Sequence, residues 1–259
     1  MSEPTPPKPS ATVLLLRDAA ALEVLMVKRH HQIDFASGAL VFPGGKLDPA
    51  DRDAAWSEAS FGWDEIAAEE RPLRIAALRE SFEEAGVLLA RRRSGEAFIA
   101  DSALLEARRS NAAGEISFRQ VVDHLGLKLD LLALTRFARW ITPVMMPKRF
   151  DTYFYAAIAP KDQLAVSDGS ETVDAEWISP HHALALAEAG ERTIIFPTRM
   201  NLKLLAEATH AADAVARAAE RKDIVVTPWV ERREHGQVLV IPPDAGYGAV
   251  EEDLAKVGG

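Results

Sequence analysis

The chain has no cysteine, which excludes disulfides, thiolate zinc sites and cysteine nucleophiles. It has no run approaching the roughly 18 apolar residues of a membrane span. It has no basic excess either. Lys and Arg number 30 against 39 Asp and Glu, for a formal net charge of −9, so non-specific nucleic-acid binding is not expected. Met1 to Ser10 holds four prolines and no apolar segment, and reads as a disordered tail rather than a secretory signal. The end, Lys256-Val257-Gly258-Gly259, lacks a Ser-Lys-Leu peroxisomal address. A cysteine-free composition is compatible with a reducing compartment, and the cytoplasm is the expected location.

What is present is an ordinary globular composition, 48% hydrophobic and 27% charged, at a length that suits one domain with insertions. Two stretches stand out: Phe42-Pro43-Gly44-Gly45, and Arg79-Glu80-Ser81-Phe82-Glu83-Glu84-Ala85-Gly86-Val87. The second reads as the end of a helix, with Pro72 near its start and Gly86 as a left-handed C-terminal cap. Glu80, Glu83 and Glu84 stand at i, i+3 and i+4, so they project from one face. Three carboxylates there repel one another unless a cation sits between them, and oxygen-only ligands suit a hard ion such as Mg²⁺. The alternative is a solvated helix face with Arg79 and Glu83 as an ion pair. Gly44 and Gly45 allow backbone to approach a helix, metal or phosphate closely.

Along the rest of the chain, Ala11–Arg17 and Leu22–Lys28 read as a strand hairpin, followed by Arg29, a candidate anion contact. Ala39–Phe42 is a brief strand. Pro49–Glu70 carries Trp56, Phe61 and Trp63, with Asp64–Glu70 helical, and is either a surface excursion packed on the domain or a lid. Glu96–Arg109 and Phe118–Leu125 read as inserted helices, the latter with Ser117 as N-cap. Strands at Arg136–Ile141 and Phe150–Ile158 flank a proline-bounded loop, Thr142 to Arg149. Trp140, Lys148, Arg149, Tyr153 and Phe154 form either a hairpin with a core Trp and exposed cations or a face that stacks a base and pairs phosphate. Asp168–Asp174 is an acidic loop before a strand with Trp177. Pro180–Ala189 and Thr198–Arg221 read as helices, and Ile224–Val230 with Gln237–Ile241 as a last hairpin. The expected organisation is a disordered tail over residues 1–10 and one domain over 11–259, with insertions at about 49–71 and 95–134.

The two stretches together resemble the box of the Nudix hydrolases, Gly-x5-Glu-x7-Arg-Glu-apolar-x-Glu-Glu-x-Gly-apolar. Gly45, Arg79, Glu80, Glu83, Glu84, Gly86 and Val87 match it. Ser81 stands where an apolar residue is usual. Gly45 and Arg79 are 34 positions apart, some 20 more than in the uninterrupted pattern, so the mid-box Glu has no unique counterpart. Counting forward reaches Asp51, and counting back reaches Arg71, next to Glu70. The interrupted box, with Phe42-Pro43-Gly44-Gly45-x-Leu47-Asp48, Trp140-x-Thr142-Pro143 and Arg149-Phe150-Asp151-Thr152, is similar to the coenzyme A diphosphatases of the mammalian peroxisomal type.

This resemblance implies an α/β/α sandwich around a mixed β-sheet. It also implies an Mg²⁺- or Mn²⁺-dependent hydrolase that splits coenzyme A or acyl-CoA into adenosine 3′,5′-bisphosphate and a phosphopantetheine. Glu80, Glu83, Glu84 and the Gly45 carbonyl would hold metal, and Arg79 would orient the carboxylates. The water's proton would go to Glu80 or to an acid in a distant loop, Glu171, with Asp168 and Asp174 as rivals. Arg29, Trp140, Lys148, Arg149 and Phe150 are the substrate-binding candidates. The partner is a small nucleotide-containing molecule, with no nucleic acid, no membrane, and a homodimer as the assembly considered. Other readings are a Nudix hydrolase of ADP-ribose or NADH, and a Nudix-fold binding protein without catalysis.

Overall fold

A computed structural model describes residues 5–29, 38–163, 172–234 and 236–254. The strands are β1 (Lys8–Asp18), β2 (Leu22–Arg29), β3 (Leu40–Val41), β4 (Gly44–Lys46), β5 (Ser60–Phe61), β6 (Ala90–Arg92), β7 (Leu127–Asp130), β8 (Thr135–Ile141), β9 (Phe150–Ile158), β10 (Thr172–Ile178), β11 (Val225–Val226), β12 (Trp229–Arg233), β13 (Gly236–Val240) and β14 (Glu251–Asp253). The helices are α1 (Arg71–Ala85), α2 (Ser102–Ala112), α3 (Phe118–His124), α4 (Pro180–Glu188), α5 (Phe196–Leu205) and α6 (Ala211–Glu220).

The main sheet runs β10-β2-β1-β9-β8-β11, with β3 on β2 and β4 on β1. It is mixed, because β1 pairs β9 in parallel and β8 pairs β11 in parallel, while β2, β4 and β10 run antiparallel to their neighbours. Alternation along β1 explains the layers. Ala11, Val13 and Leu15 join a core with Ile75, Ala76, Leu78 and Phe82 of α1, whereas Leu14 and Leu16 join a second core with Met200, Leu202 and Ala214 of α5 and α6. Side chains of one strand point to opposite faces, so both faces of this sheet are covered and the sandwich follows.

Strand β1 begins at Lys8, inside the stretch read as a tail; residues 1–4 lie outside the described residues. The two insertions are built as one body. β5, β7 and β6 form a separate three-stranded sheet, and the buried Trp56 stacks against Phe118 of α3 with ring centroids 5.7 Å apart. The excursion is therefore packed, and Asp64–Glu70 is a series of turns rather than a helix. The expected helix over Glu96–Arg109 starts later, at Ser102, where Asp101 accepts from the Ala103 and Leu104 amides as N-cap. The expected single helix over Thr198–Arg221 is broken between Leu205 and Ala211. At the break the Thr209 amide donates to Asp213 Oδ2, closing a new helix start instead of continuing the old one. The tail after the last hairpin adds a third strand, β14, paired with β13.

Candidate active site

Helix α1 presents the glutamates because both its ends are set by sequence. Pro72 lies in its first turn, and Gly86 closes it at φ 73° with its amide donating to Phe82 and Ser81 carbonyls. A side chain at Gly86 would be strained in that left-handed conformation. Ser81, the unusual residue in the box, is fully buried, and its hydroxyl donates to the Val87 carbonyl at 2.8 Å. The departure thus fastens the turn that ends the helix. Arg108 of α2 adds a bond to the Glu83 carbonyl at 3.0 Å, which ties the second insertion to the same end.

The Gly44-Gly45 strand lies directly against this helix. The Gly44 amide donates to Glu84 Oε2 at 2.9 Å. A Cβ built on Gly45 would fall 2.3 Å from Glu80 Oε1, and one on Gly44 would fall 2.4 Å from Thr12 Oγ1. Backbone atoms of Ala11 and Thr12 at 2.6 Å require glycine at Gly44, whereas a side chain at Gly45 would have to push the Glu80 carboxylate aside. Glu80 and Glu84 are buried, and Glu83 is about one-third exposed along its side chain (34%).

Arg79 knits the two halves of the interrupted box. Its Nε and Nη2 donate to Asp51 Oδ1 and Oδ2, each at 3.0 Å, a bidentate pair. Nη1 donates to Glu80 Oε1 at 2.7 Å and Glu83 Oε2 at 2.9 Å, and Nη2 also donates to the Lys46 carbonyl at 3.0 Å. All five guanidinium donors are used. Burial works against the charge, but the Asp51 hydrogen bonds and the Glu80, Asp51 and Glu83 carboxylates outweigh it and raise the pKa above the ordinary guanidinium value. Asp51 is itself fixed in a one-turn 3₁₀ helix, where it accepts the Asp48 amide at 2.8 Å in a capping box. Of the two counts left open in the sequence, Asp51 is the partner that meets Arg79, while Glu70 pairs with Arg74 and Arg136.

Among the described residues, no three His, Cys or acidic side chains stand in a ready-made metal-holding group; Arg79 and Gly44 hold the carboxylates in this arrangement. The donor chemistry nonetheless fits a hard divalent cation: the three carboxylates occupy successive turns of one helix, and the Gly45 backbone lies close enough to Glu80 that no side chain intervenes.

The other site candidates lie elsewhere. Trp140 is buried in the core on the sheet face away from α1, where its indole donates to the Tyr247 hydroxyl at 3.0 Å and meets Phe196 edge-on. A register shift between Arg136 and Ala138 sets the phase of that strand, a feature that alternation in the sequence does not reveal. Trp140 therefore offers no free ring for a base. Arg149 is buried and donates to the Thr142 and Thr5 carbonyls. Phe150 pairs across to Lys8 at the start of β9, and Lys148 is exposed beside it. The Arg29 backbone pairs with Thr172, and its side chain lies outside the described residues. Glu171 and Asp168 also lie outside them, and Asp174 is exposed on β10. One residue was missed in the sequence. Buried Gln163 bonds both the Leu88 amide (2.7 Å) and carbonyl (3.0 Å), anchoring the chain just before the acidic loop to the segment that follows α1. A lone Gln after a Pro-Lys-Asp turn carries no pattern by which to find it.

A family model described as the NUDT19 Nudix domain matches residues 60–203, more than half of the chain. The acyl-coenzyme A diphosphatase NUDT19 of Homo sapiens is 27% identical over 275 residues, covering 88% of this chain and 73% of that protein. Its counterpart in Gallus gallus is 29% identical over 208 residues, with 62% of this chain and 55% of that protein covered. The crystal structure of a NUDIX hydrolase from Alicyclobacillus acidocaldarius superposes with a TM-score of 0.73 at 29% identity, covering 82% of this chain and 96% of that one. Fold and box together define a Nudix pyrophosphohydrolase. Within that class the chain belongs to the NUDT19 Nudix domain family.

Proposed function

We propose that the chain hydrolyses the diphosphate bridge of coenzyme A or acyl-CoA, releasing adenosine 3′,5′-bisphosphate and phosphopantetheine or its acyl form. The observation that carries this reading is the pairing of Arg79 with Asp51 across an interrupted box, which sets Glu80, Glu83 and Glu84 against the Gly44-Gly45 strand. The relatives named acyl-coenzyme A diphosphatase support the choice of substrate.

Glu80, Glu83, Glu84 and the Gly45 carbonyl would hold Mg²⁺ or Mn²⁺. When bound, such an ion would neutralise charge on the bridge and lower the pKa of the attacking water. Arg79, with every donor engaged, restrains Glu80 and Glu83 in rotation and place. Glu80 or Glu171 takes the water's proton. Arg29 is the cation proposed to meet the adenosine-side phosphates, while Arg149, whose guanidinium donates to the Thr142 and Thr5 carbonyls, frames with Phe150 the base of the loop that carries Lys148. The cytoplasm is the compartment proposed. The test is incubation of the purified chain with coenzyme A and Mg²⁺, with products resolved by chromatography. Equal amounts of the bisphosphate and phosphopantetheine are expected. Intact coenzyme A, or cleavage elsewhere than the bridge, would overturn the reading.

A further inference from the structure

Between β8 and β9, the Pro143–Pro147 loop holds three consecutive large apolar side chains out to solvent: Val144 is 62% exposed, Met145 53% and Met146 39%. Scattered exposed apolar residues are ordinary, but a contiguous run on an otherwise well-packed acidic protein asks for an occupant. The loop is firmly framed. The Thr142 amide donates to the Phe150 carbonyl (2.9 Å), the Phe150 amide to Thr142 Oγ1 (3.1 Å) and the Met146 amide to the Pro143 carbonyl (3.1 Å). Buried Arg149 clamps the base by donating to the Thr142 and Thr5 carbonyls at 3.1 and 2.9 Å. The apolar tips are thus presented by a built turn.

Ala11 of β1 lies opposite Gly45 of β4 on one side and Tyr153 of β9 on the other. Phe150 at the loop base is three residues before Tyr153 on the same strand. With strands about 4.8 Å apart and about 3.3 Å per residue, the base stands on the order of 14 Å from the Gly45–Glu80 contact, at the same end of the sheet. A linear arm leading away from a diphosphate at the glutamates spans such a distance and delivers its far end to the turn.

Resting on the coenzyme A reading above, we propose that Val144, Met145 and Met146 form the acyl-chain rest of the site, the surface that takes the hydrocarbon of an acyl-CoA. Methionine is unbranched and polarisable and adapts to irregular apolar partners, so this rest favours long chains over short ones without a fixed length limit.

The experiment compares kcat/KM for palmitoyl-CoA, below its micellar concentration, with that for free coenzyme A. It uses the full chain and the Val144→Ser/Met145→Ser/Met146→Ser variant, whose exposed positions leave the core untouched. The palmitoyl-to-free ratio is expected to fall about tenfold or more in the variant, and to stay at the wild-type value in the single Met145→Leu variant, which keeps an apolar side chain there. An unchanged ratio, in an enzyme that still cleaves free coenzyme A, overturns the acyl rest while leaving the proposed function standing. A wild-type chain that cleaves no coenzyme A derivative overturns both. Sedimentation with phosphatidylserine vesicles forms the second arm. Vesicle binding lost in the variant, with the ratio unmoved, assigns the loop to a lipid surface and overturns the proposal.

Discussion

Replacing Asp51 by Ala attacks the contact that closes the interrupted box. Asp51 is 2% exposed and accepts two charge-assisted hydrogen bonds from Arg79 and one from the Asp48 amide. Breaking a buried ion pair by removing one partner typically costs about 3–5 kcal/mol, because the other charge is stranded. Arg79 is not stranded here, since Glu80, Glu83 and the Lys46 carbonyl remain. The loss is then nearer that of two hydrogen bonds to charged groups, about 1.5 kcal/mol each, or about 3 kcal/mol in all. Urea unfolding with an unchanged m-value reads it directly. Activity should fall about 10–100-fold as well, the usual effect of loosening the groups that orient a metal's ligands. Asp51→Asn, which keeps an acceptor oxygen but no charge, should lie between wild type and Asp51→Ala on both scales. A stability loss under about 0.5 kcal/mol together with unchanged turnover would refute the claim that Asp51 organises the site.

Gly45→Ala should cut kcat while leaving circular dichroism unchanged, because its Cβ would sit 2.3 Å from Glu80 Oε1 and displace that carboxylate; normal turnover would show that the Glu80 position is unimportant. Glu84→Gln keeps an acceptor for the Gly44 amide, so the fold should hold while kcat drops by orders of magnitude, and excess chelator should abolish wild-type activity. Full activity in either case contradicts a metal at the glutamates. Glu171→Gln should lower kcat with little change in KM, as when an interaction made only in the transition state is lost; an unaltered kcat removes Glu171 from the chemistry.

The helix and its caps were legible in the sequence, because Pro72 and Gly86 each act through their own backbone geometry and the turn between them is fixed by local rules. The glutamate face followed from helical periodicity alone. The Arg79–Glu83 pair was legible as well, from i,i+4 spacing; the Arg79–Asp51 contact was not, because it joins residues 28 positions apart through the 3₁₀ turn that presents Asp51 to the guanidinium. The packing of the interruption was readable as one of two outcomes, and the Trp56–Phe118 contact, 62 positions apart in the chain, selects it. Of the two readings open for Trp140, core or base-stacking, the structure selects the core, and the register shift in β8 that sets its face is not visible in the sequence. The break between α5 and α6 was hidden because Ala-rich sequence continues apolar spacing through it, whereas the Ala211 amide at the new helix start donates to Asp18 Oδ1, 193 positions away in the chain.

The central claim is tested most directly by measuring kcat/KM for coenzyme A, palmitoyl-CoA, ADP-ribose and NADH side by side, in the same Mg²⁺ buffer and with phosphate-bearing products resolved. The account predicts that a coenzyme A derivative has the highest value and yields adenosine 3′,5′-bisphosphate. A higher value for ADP-ribose or NADH than for every coenzyme A derivative would contradict it.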